Sequence, residues 1–200
     1  MSAIVKLADN SSVYEVAKVS PLSIATQLSK KFNNQVYLKR EDDQIIHSFK
    51  LRGAYQKMSS MNDEQKAKGV IASSAGNHAQ GVALGASKLN IKATIVMPTS
   101  TPQIKVRAVQ ELGAEVILFG DVYDDAFVHA KKLVSEKDLC FISPYDDFEV
   151  IAGQATVAKE ILNQLDQIDY VFSPVGGGGL ISGMASYIKH YAPHIKVIGV

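Results

Sequence analysis

Short runs dense in valine and isoleucine alternate with segments of helical period along almost all of this 200-residue sequence, and that alternation admits few folds. The strand candidates are Val36–Lys39, Val70–Ser73, Ala93–Met97, Glu115–Phe119, Leu139–Ile142, Tyr170–Val175 and Lys196–Val200. Between them apolar residues recur every three or four positions, as in Leu51, Ala54, Tyr55 and Met58, in Val82, Ala83, Ala86 and Leu89, and in Val157, Ile161, Leu162 and Leu165. Boundary chemistry agrees: Thr101-Pro102 reads as an N-cap followed by an N1 proline, Gly113 as a helix stop and Asp121 as a further N-cap. The strand candidates lack strict apolar–polar alternation, which is the pattern of a parallel sheet covered by helices on both faces. The sequence therefore predicts an α/β protein. No repeat, low-complexity tract or long linker marks a domain boundary.

Composition excludes several classes of function. The 21 basic and 20 acidic residues nearly cancel, so no polyanion such as nucleic acid and no anionic membrane surface is expected as a partner. No run approaches the roughly 18 apolar residues of a membrane span. The first ten residues resemble neither a signal nor a transit peptide. One cysteine, Cys140, precludes an internal disulfide framework and suits a reducing compartment, so a cytoplasmic location is expected. The last residues, His194 to Val200, have the apolar density of a strand, from which we expect a chain cut inside an element of a longer protein.

Three segments can carry chemistry. In Ser48-Phe-Lys-Leu-Arg-Gly-Ala-Tyr55, Ser48 is a candidate N-cap that places Lys50 in the first turn of a helix. There the helix dipole and burial both disfavour an ammonium, and a lysine of lowered pKa is a competent amine nucleophile. Position alone equally describes a solvated lysine near a helix start. The second segment, Ser73 to Gly81, follows a strand and opens a helix, so its small residues and free N–H groups suit an anion. A plain turn with Asn77 as cap and His78 on the surface accounts for the same residues. The third, Pro174-Val-Gly-Gly-Gly-Gly-Leu180, sets four glycines between a strand and a helix. So much lost backbone entropy favours a cradle of N–H groups around a phosphate over a merely flexible turn. Neither register of these glycines matches the dinucleotide fingerprint, and no Gly-Lys pair supplies a nucleotide P-loop. Together, a phosphate cradle, a second anion site and a tuned lysine suit a phosphorylated aldehyde cofactor beside an amino-acid carboxylate.

Other arrangements are weaker. His190 and His194 are separated by the helix-breaking Pro193, so no metal is expected. Asp146 and Asp147 read as a turn and helix start, Cys140 reads as core, and no hydrolase triad is recognisable.

From about Val13 onward the sequence resembles the fold-type II pyridoxal-phosphate enzymes, the tryptophan synthase β-like group, and among them the threonine dehydratases. The resemblance is carried by Lys39-Arg-Glu-Asp42, His47-Ser-Phe-Lys-Leu-Arg-Gly-Ala54, Ser74-Ala-Gly-Asn-His-Ala-Gln-Gly81, Val150-Ile-Ala-Gly-Gln154 and Val175-Gly-Gly-Gly-Gly-Leu180. It implies pyridoxal 5′-phosphate as cofactor, Lys50 as its Schiff-base lysine, Phe49 packed beside its ring and Asn77 at the ring's 3′-oxygen. Gly176, Gly177, Gly178, Gly179 and Leu180 would hold the phosphate through backbone amides. Ser74, Ala75, Gly76, Asn77 and His78 would receive the carboxylate of a small amino-acid substrate.

The implied fold has two open, twisted, mostly parallel sheets, with a small domain at 65–146 inserted into a large domain of 1–64 and 147–200. The implied reaction is α,β-elimination of threonine to 2-oxobutanoate and ammonia, or of serine to pyruvate, with the Lys50 amine as general base. Serine racemases of this group carry a serine where Ala75 stands, so racemisation is disfavoured. His47 resembles the biosynthetic dehydratases of isoleucine synthesis, where catabolic ones carry glycine. Relatives usually associate, so a homo-oligomer is expected. The residue that pairs with the pyridine nitrogen would lie beyond position 200, and weak activity or none is expected of these 200 residues alone. Other fold-type II reactions, a non-catalytic phosphate-binding relative and a generic nucleotide-binding domain remain as alternatives.

Overall fold

The computed structural model describes residues 3–200. In chain order the elements are α1 (Ala3–Asp9), β1 (Leu22–Ile24), α2 (Thr26–Phe32), β2 (Tyr37–Lys39), α3 (Lys50–Ser59), α4 (Asp63–Lys68), β3 (Val70–Ser73), α5 (Asn77–Lys88) and β4 (Ala93–Met97). They continue as α6 (Gln103–Glu111), β5 (Glu115–Leu118), α7 (Tyr123–Lys137), β6 (Cys140–Phe141), α8 (Phe148–Gln164), β7 (Tyr170–Ser173), α9 (Gly179–Tyr191) and β8 (Lys196–Gly199).

Four strands form a parallel sheet in the order β5-β4-β3-β6. Every position of β3 is buried, which explains its lack of alternation. Successive side chains still point to opposite faces. Val70 and Ala72, with Ile95 and Met97 of β4, join Met58 of α3, Val82, Ala83 and Ala86 of α5 and Val106 and Val109 of α6. Ile71 and Val96 meet Ala126, Ala130 and Leu133 of α7 on the other side.

The rest of the chain packs around α8, which carries α1, α3 and α9 on its flanks. A Cβ on Gly153 would lie 2.6 Å from the carbonyl oxygen of Arg52, so glycine there lets α8 cross α3 with the backbones in contact. β7 and β8 pair in parallel, and β1 and β2 form a separate antiparallel pair. A groove of about 740 Å³ is lined by both β2 and β7, with Val157, Ile161 and Met184 among the other residues lining it.

Three boundary readings change in the structure. Strand β1, which follows Pro21, was not among the sequence candidates; it is short and no position in it is buried, so its apolar signal is weak. Pro102, not Thr101, is the N-cap of α6, with extended ψ of 136° and its carbonyl accepting from Lys105 and Val106. Val122, not Asp121, caps α7, and the carboxylate that serves this end is Asp125, which accepts from the N–H groups of Asp121 and Val122. Gly113 does end α6, at φ 95°.

His47 has φ 54°, in the left-handed region that glycine enters freely and other residues enter with strain. That backbone requirement is a physical reason for glycine to be compatible with this position. The imidazole Nδ1 donates to the Asp42 carbonyl at 2.9 Å and helps hold the turn. His47→Gly trades native strain for unfolded-state entropy and should change stability by less than about 1 kcal/mol, whereas the β-branched His47→Val should cost about 1–2 kcal/mol. Denaturant midpoints of the two variants check this.

Candidate active site

The C-terminal ends of β3 and β7 both open into loops that start helices, and Lys50 starts a third helix beside them. α3 begins at Lys50, after a Phe49 already in the helical region at φ −62° and ψ −14°, so Ser48 is not the formal cap. Its hydroxyl nevertheless accepts from the Lys50 N–H at 3.2 Å. Gly81 lets α5 lie against this turn, since a Cβ there would sit 3.0 Å from the Lys50 carbonyl oxygen. The packing brings the first turns of α5, His78 included, near Lys50.

The Lys50 amine is half-buried. Its Nζ donates to the carbonyl of Pro144 at 2.8 Å and lies 5.4 Å from the centroid of the Phe49 ring. Among the described residues no carboxylate pairs with it, and burial holds its pKa below the ordinary lysine value. Phe49 packs against the cluster of α8 and α9 that also includes Leu180.

In the loop after β3, the hydroxyl of Ser74 accepts from the N–H of Gly76 at 3.2 Å, and Asn77 is exposed at the first position of α5. Ala75 offers no exchangeable side-chain proton. His78 departs from the surface position considered for it: it is buried, and its Nε2 lies 2.9 Å from the Ile142 carbonyl oxygen. A carbonyl only accepts, so Nε2 carries the proton. The ring is thus engaged with the end of β6, and the contribution His78 can make to an anion site is its backbone N–H.

Burial, aided by the nearby charge of Lys50, lowers the His78 pKa from 6.5 to about 4. Because the folded-state value lies below the unfolded one, the neutral ring contributes stability that is fully present above about pH 6.5 and is lost as pH falls towards about 4. The denaturant midpoint should therefore drop between about pH 7 and about pH 4.5, and drop less in His78→Asn.

The glycine loop has the form of an anion cradle. Gly178 takes φ 84° and serves as N-cap of α9, and a Cβ at Gly176 or Gly178 would meet nothing within 4 Å, so the backbone faces open space. Gly177 and Gly179 have no such freedom. A Cβ at Gly177 would fall within the ring of Tyr145, and one at Gly179 would lie 2.9 Å from the Tyr145 carbonyl oxygen. Tyr145 follows the proline that holds Lys50, so one turn touches both the amine and the cradle. Sequence reading passed over this turn as the lead-in to a helix. Asp147 does cap α8, accepting from Glu149 and Val150 at 2.9 and 3.2 Å. A nucleophilic amine, an anion cradle at a helix start and a second small-residue loop fit a phosphorylated aldehyde joined to an amino acid. Among the described residues no cluster of histidine, cysteine and carboxylate suits a metal.

Comparison with known proteins agrees with this geometry. The family described as pyridoxal-phosphate dependent enzyme matches residues 14–200. The biosynthetic L-threonine dehydratase of Haemophilus influenzae is 54% identical over 200 residues, covering 100% of this chain and 39% of that protein. The chain thus spans well under half the length of this relative. The processed form of threonine deaminase isoform 2 from Solanum lycopersicum superposes with a TM-score of 0.96 at 52% identity, over 98% of this chain and 54% of that one. Maize serine racemase gives a TM-score of 0.93 at 32% identity, over 98% of this chain and 59% of that one.

Proposed function

Because the chain belongs to the family of pyridoxal-phosphate-dependent enzymes, we propose that it provides the cofactor-binding part of an enzyme that eliminates water from L-threonine to give 2-oxobutanoate and ammonia, the entry step of isoleucine synthesis. L-serine would give pyruvate by the same route. The observation that carries this reading is a half-buried lysine amine, free of any carboxylate partner among the described residues, beside a glycine loop with open backbone.

The residues divide the work as follows. Lys50 would form the covalent link, and its amine, freed when the substrate amine takes its place and held below ordinary lysine basicity by burial, would take the Cα proton, which with the departing β-hydroxyl makes up the water lost. The amides of Gly176 to Leu180 bind the phosphate at the start of α9. Ser74 to His78 take the substrate carboxylate, through the Ser74 hydroxyl and backbone N–H groups. Asn77 would contact the ring's 3′-oxygen, and Phe49 would pack beside the ring. When bound, the cofactor's pyridine ring draws electrons from the substrate Cα and so acidifies its proton. Ala75, where serine racemases of this group carry a serine, cannot move a proton as a second base, which favours elimination over racemisation.

The domain division we propose is 65–146 for the small domain and 1–64 with 147–200 for the large one, a limit that falls within α4. We further assign the protein to the cytoplasm and to a homo-oligomer; no helix among the described residues is long and apolar enough to cross a membrane. Incubating the full-length protein with L-threonine alone tests the reaction. It should release 2-oxobutanoate and ammonia in equal amounts. Product only when a second substrate such as sulfide is added would assign a replacement reaction instead, and no product would refute the dehydratase.

A further inference from the structure

The segment joining β6 to α8 touches both anchors of the site and is itself held at both ends. Ile142, fully buried, donates its N–H to the Ile71 carbonyl at 2.9 Å and accepts from His78. Ser143 Oγ accepts from the N–H groups of Tyr145 at 3.5 Å and Asp146 at 3.1 Å. At the far end Asp147 caps α8 and pairs with Lys57 Nζ at 2.7 Å. Between these ties only Pro144 and Tyr145 form the apex, with the Pro144 carbonyl on the Lys50 amine and the Tyr145 ring against Gly177.

Building on the functional reading above, we propose that the Pro144-Tyr145 turn is a positioning element that fixes the spacing between the Lys50 amine and the glycine loop, with Tyr145 the residue that sets it. A loop of four glycines has no side chains with which to hold its own shape. The Tyr145 ring supplies that packing from outside, at the space Gly177 leaves open for it. A ligand with a phosphate at one end and a carbonyl at the other gains from two anchors only if both can be engaged together. A rigid spacer makes the second contact intramolecular and raises its effective concentration. The contact uses the ring and backbone of Tyr145, and the phenol oxygen has no hydrogen-bond partner among the described residues, so phenylalanine should serve as well.

The test separates phosphate-dependent from phosphate-independent binding. The full-length protein is titrated with pyridoxal phosphate and with pyridoxal, following the visible band of the lysine adduct, for wild type, Tyr145→Ala and Tyr145→Phe. Tyr145→Ala should lower the preference for the phosphorylated aldehyde on the order of tenfold while leaving pyridoxal little changed, and Tyr145→Phe should keep the preference within about twofold. A general loss of structure would weaken both aldehydes alike, and that outcome, or an unchanged preference, overturns the inference while the functional reading stands. Loss in Tyr145→Phe equal to that in Tyr145→Ala would place the role in the phenol and overturn the packing argument. A wild type with no band for either aldehyde removes the functional reading and this inference with it.

Discussion

Lys50→Ala should abolish the visible absorbance band that forms when pyridoxal phosphate is added to the full-length protein, and should lower turnover by about a hundredfold to ten-thousandfold or more. The band reports a covalent link to an amine, and Lys39 is the other lysine with a claim to supply it. Lys39 also has its pKa lowered by burial. Its ammonium, however, sits 2.6 Å from a Glu160 carboxylate oxygen and donates to the Ser20 carbonyl and to Gln164 at 2.7 and 2.8 Å. Deprotonating it would take one of two cations from the buried Glu160 carboxylate, so Lys39 stays charged and engaged. Lys50 has one neutral carbonyl as partner, and its amine is released at little cost. The spectrum of Lys50→Ala measured beside that of Lys39→Met separates the two, with a circular dichroism scan to confirm that both remain folded. A band of wild-type strength in Lys50→Ala would move the linkage elsewhere and remove the basis of the proposed mechanism.

How much of this was legible in the sequence depended on whether the cause was local. β3 and β4 were read to the residue because their positions are apolar almost throughout and turns bound them. The glycine loop was legible because four glycines are unfavourable wherever they stand, and the structure adds only which of them face open space. Asp147 was legible as a helix start because a cap is a matter of a few neighbouring residues. Asp121 and Thr101 were misjudged because a cap also depends on backbone angles that the residue type does not determine. His78 and Tyr145 were beyond local reading for another reason. Their partners, Ile142 and Gly177, are 64 and 32 positions away, brought near by the pairing of β3 with β6 and the packing of α8 against α9. The same holds for Arg52, which the sequence offered merely as a letter in a motif.

Arg52 is the basis of the second large effect expected. Two residues after Lys50, its guanidinium is wholly buried and bonds Glu41 through Nε and one terminal nitrogen, each at 2.8 Å, and Glu160 through the other at 2.6 Å. With Lys39 this makes two cations and two carboxylates sharing one buried site. Burial alone would raise the Glu160 carboxyl, but the bonds and charges of Arg52 and Lys39 hold it below the usual range. Removing Glu160 leaves Lys39 without its carboxylate and Arg52 with Glu41 as its remaining one, and breaking a buried pair in this way is destabilising by about 3–5 kcal/mol. Glu160→Ala should therefore lower the unfolding free energy by about that amount, and Glu160→Gln by less, because the amide can still accept from Arg52. Urea titrations of the two variants measure both. The consequence reaches the site, because Arg52 ties the first turn of α3 to α8, and Lys50 is in that turn. Glu160→Ala should also weaken adduct formation with pyridoxal and pyridoxal phosphate alike, unlike the phosphate-selective loss expected of Tyr145→Ala. A loss of stability below about 1 kcal/mol would mean that water reaches the cluster and that the packing of α3 on α8, rather than these charges, fixes the lysine in place.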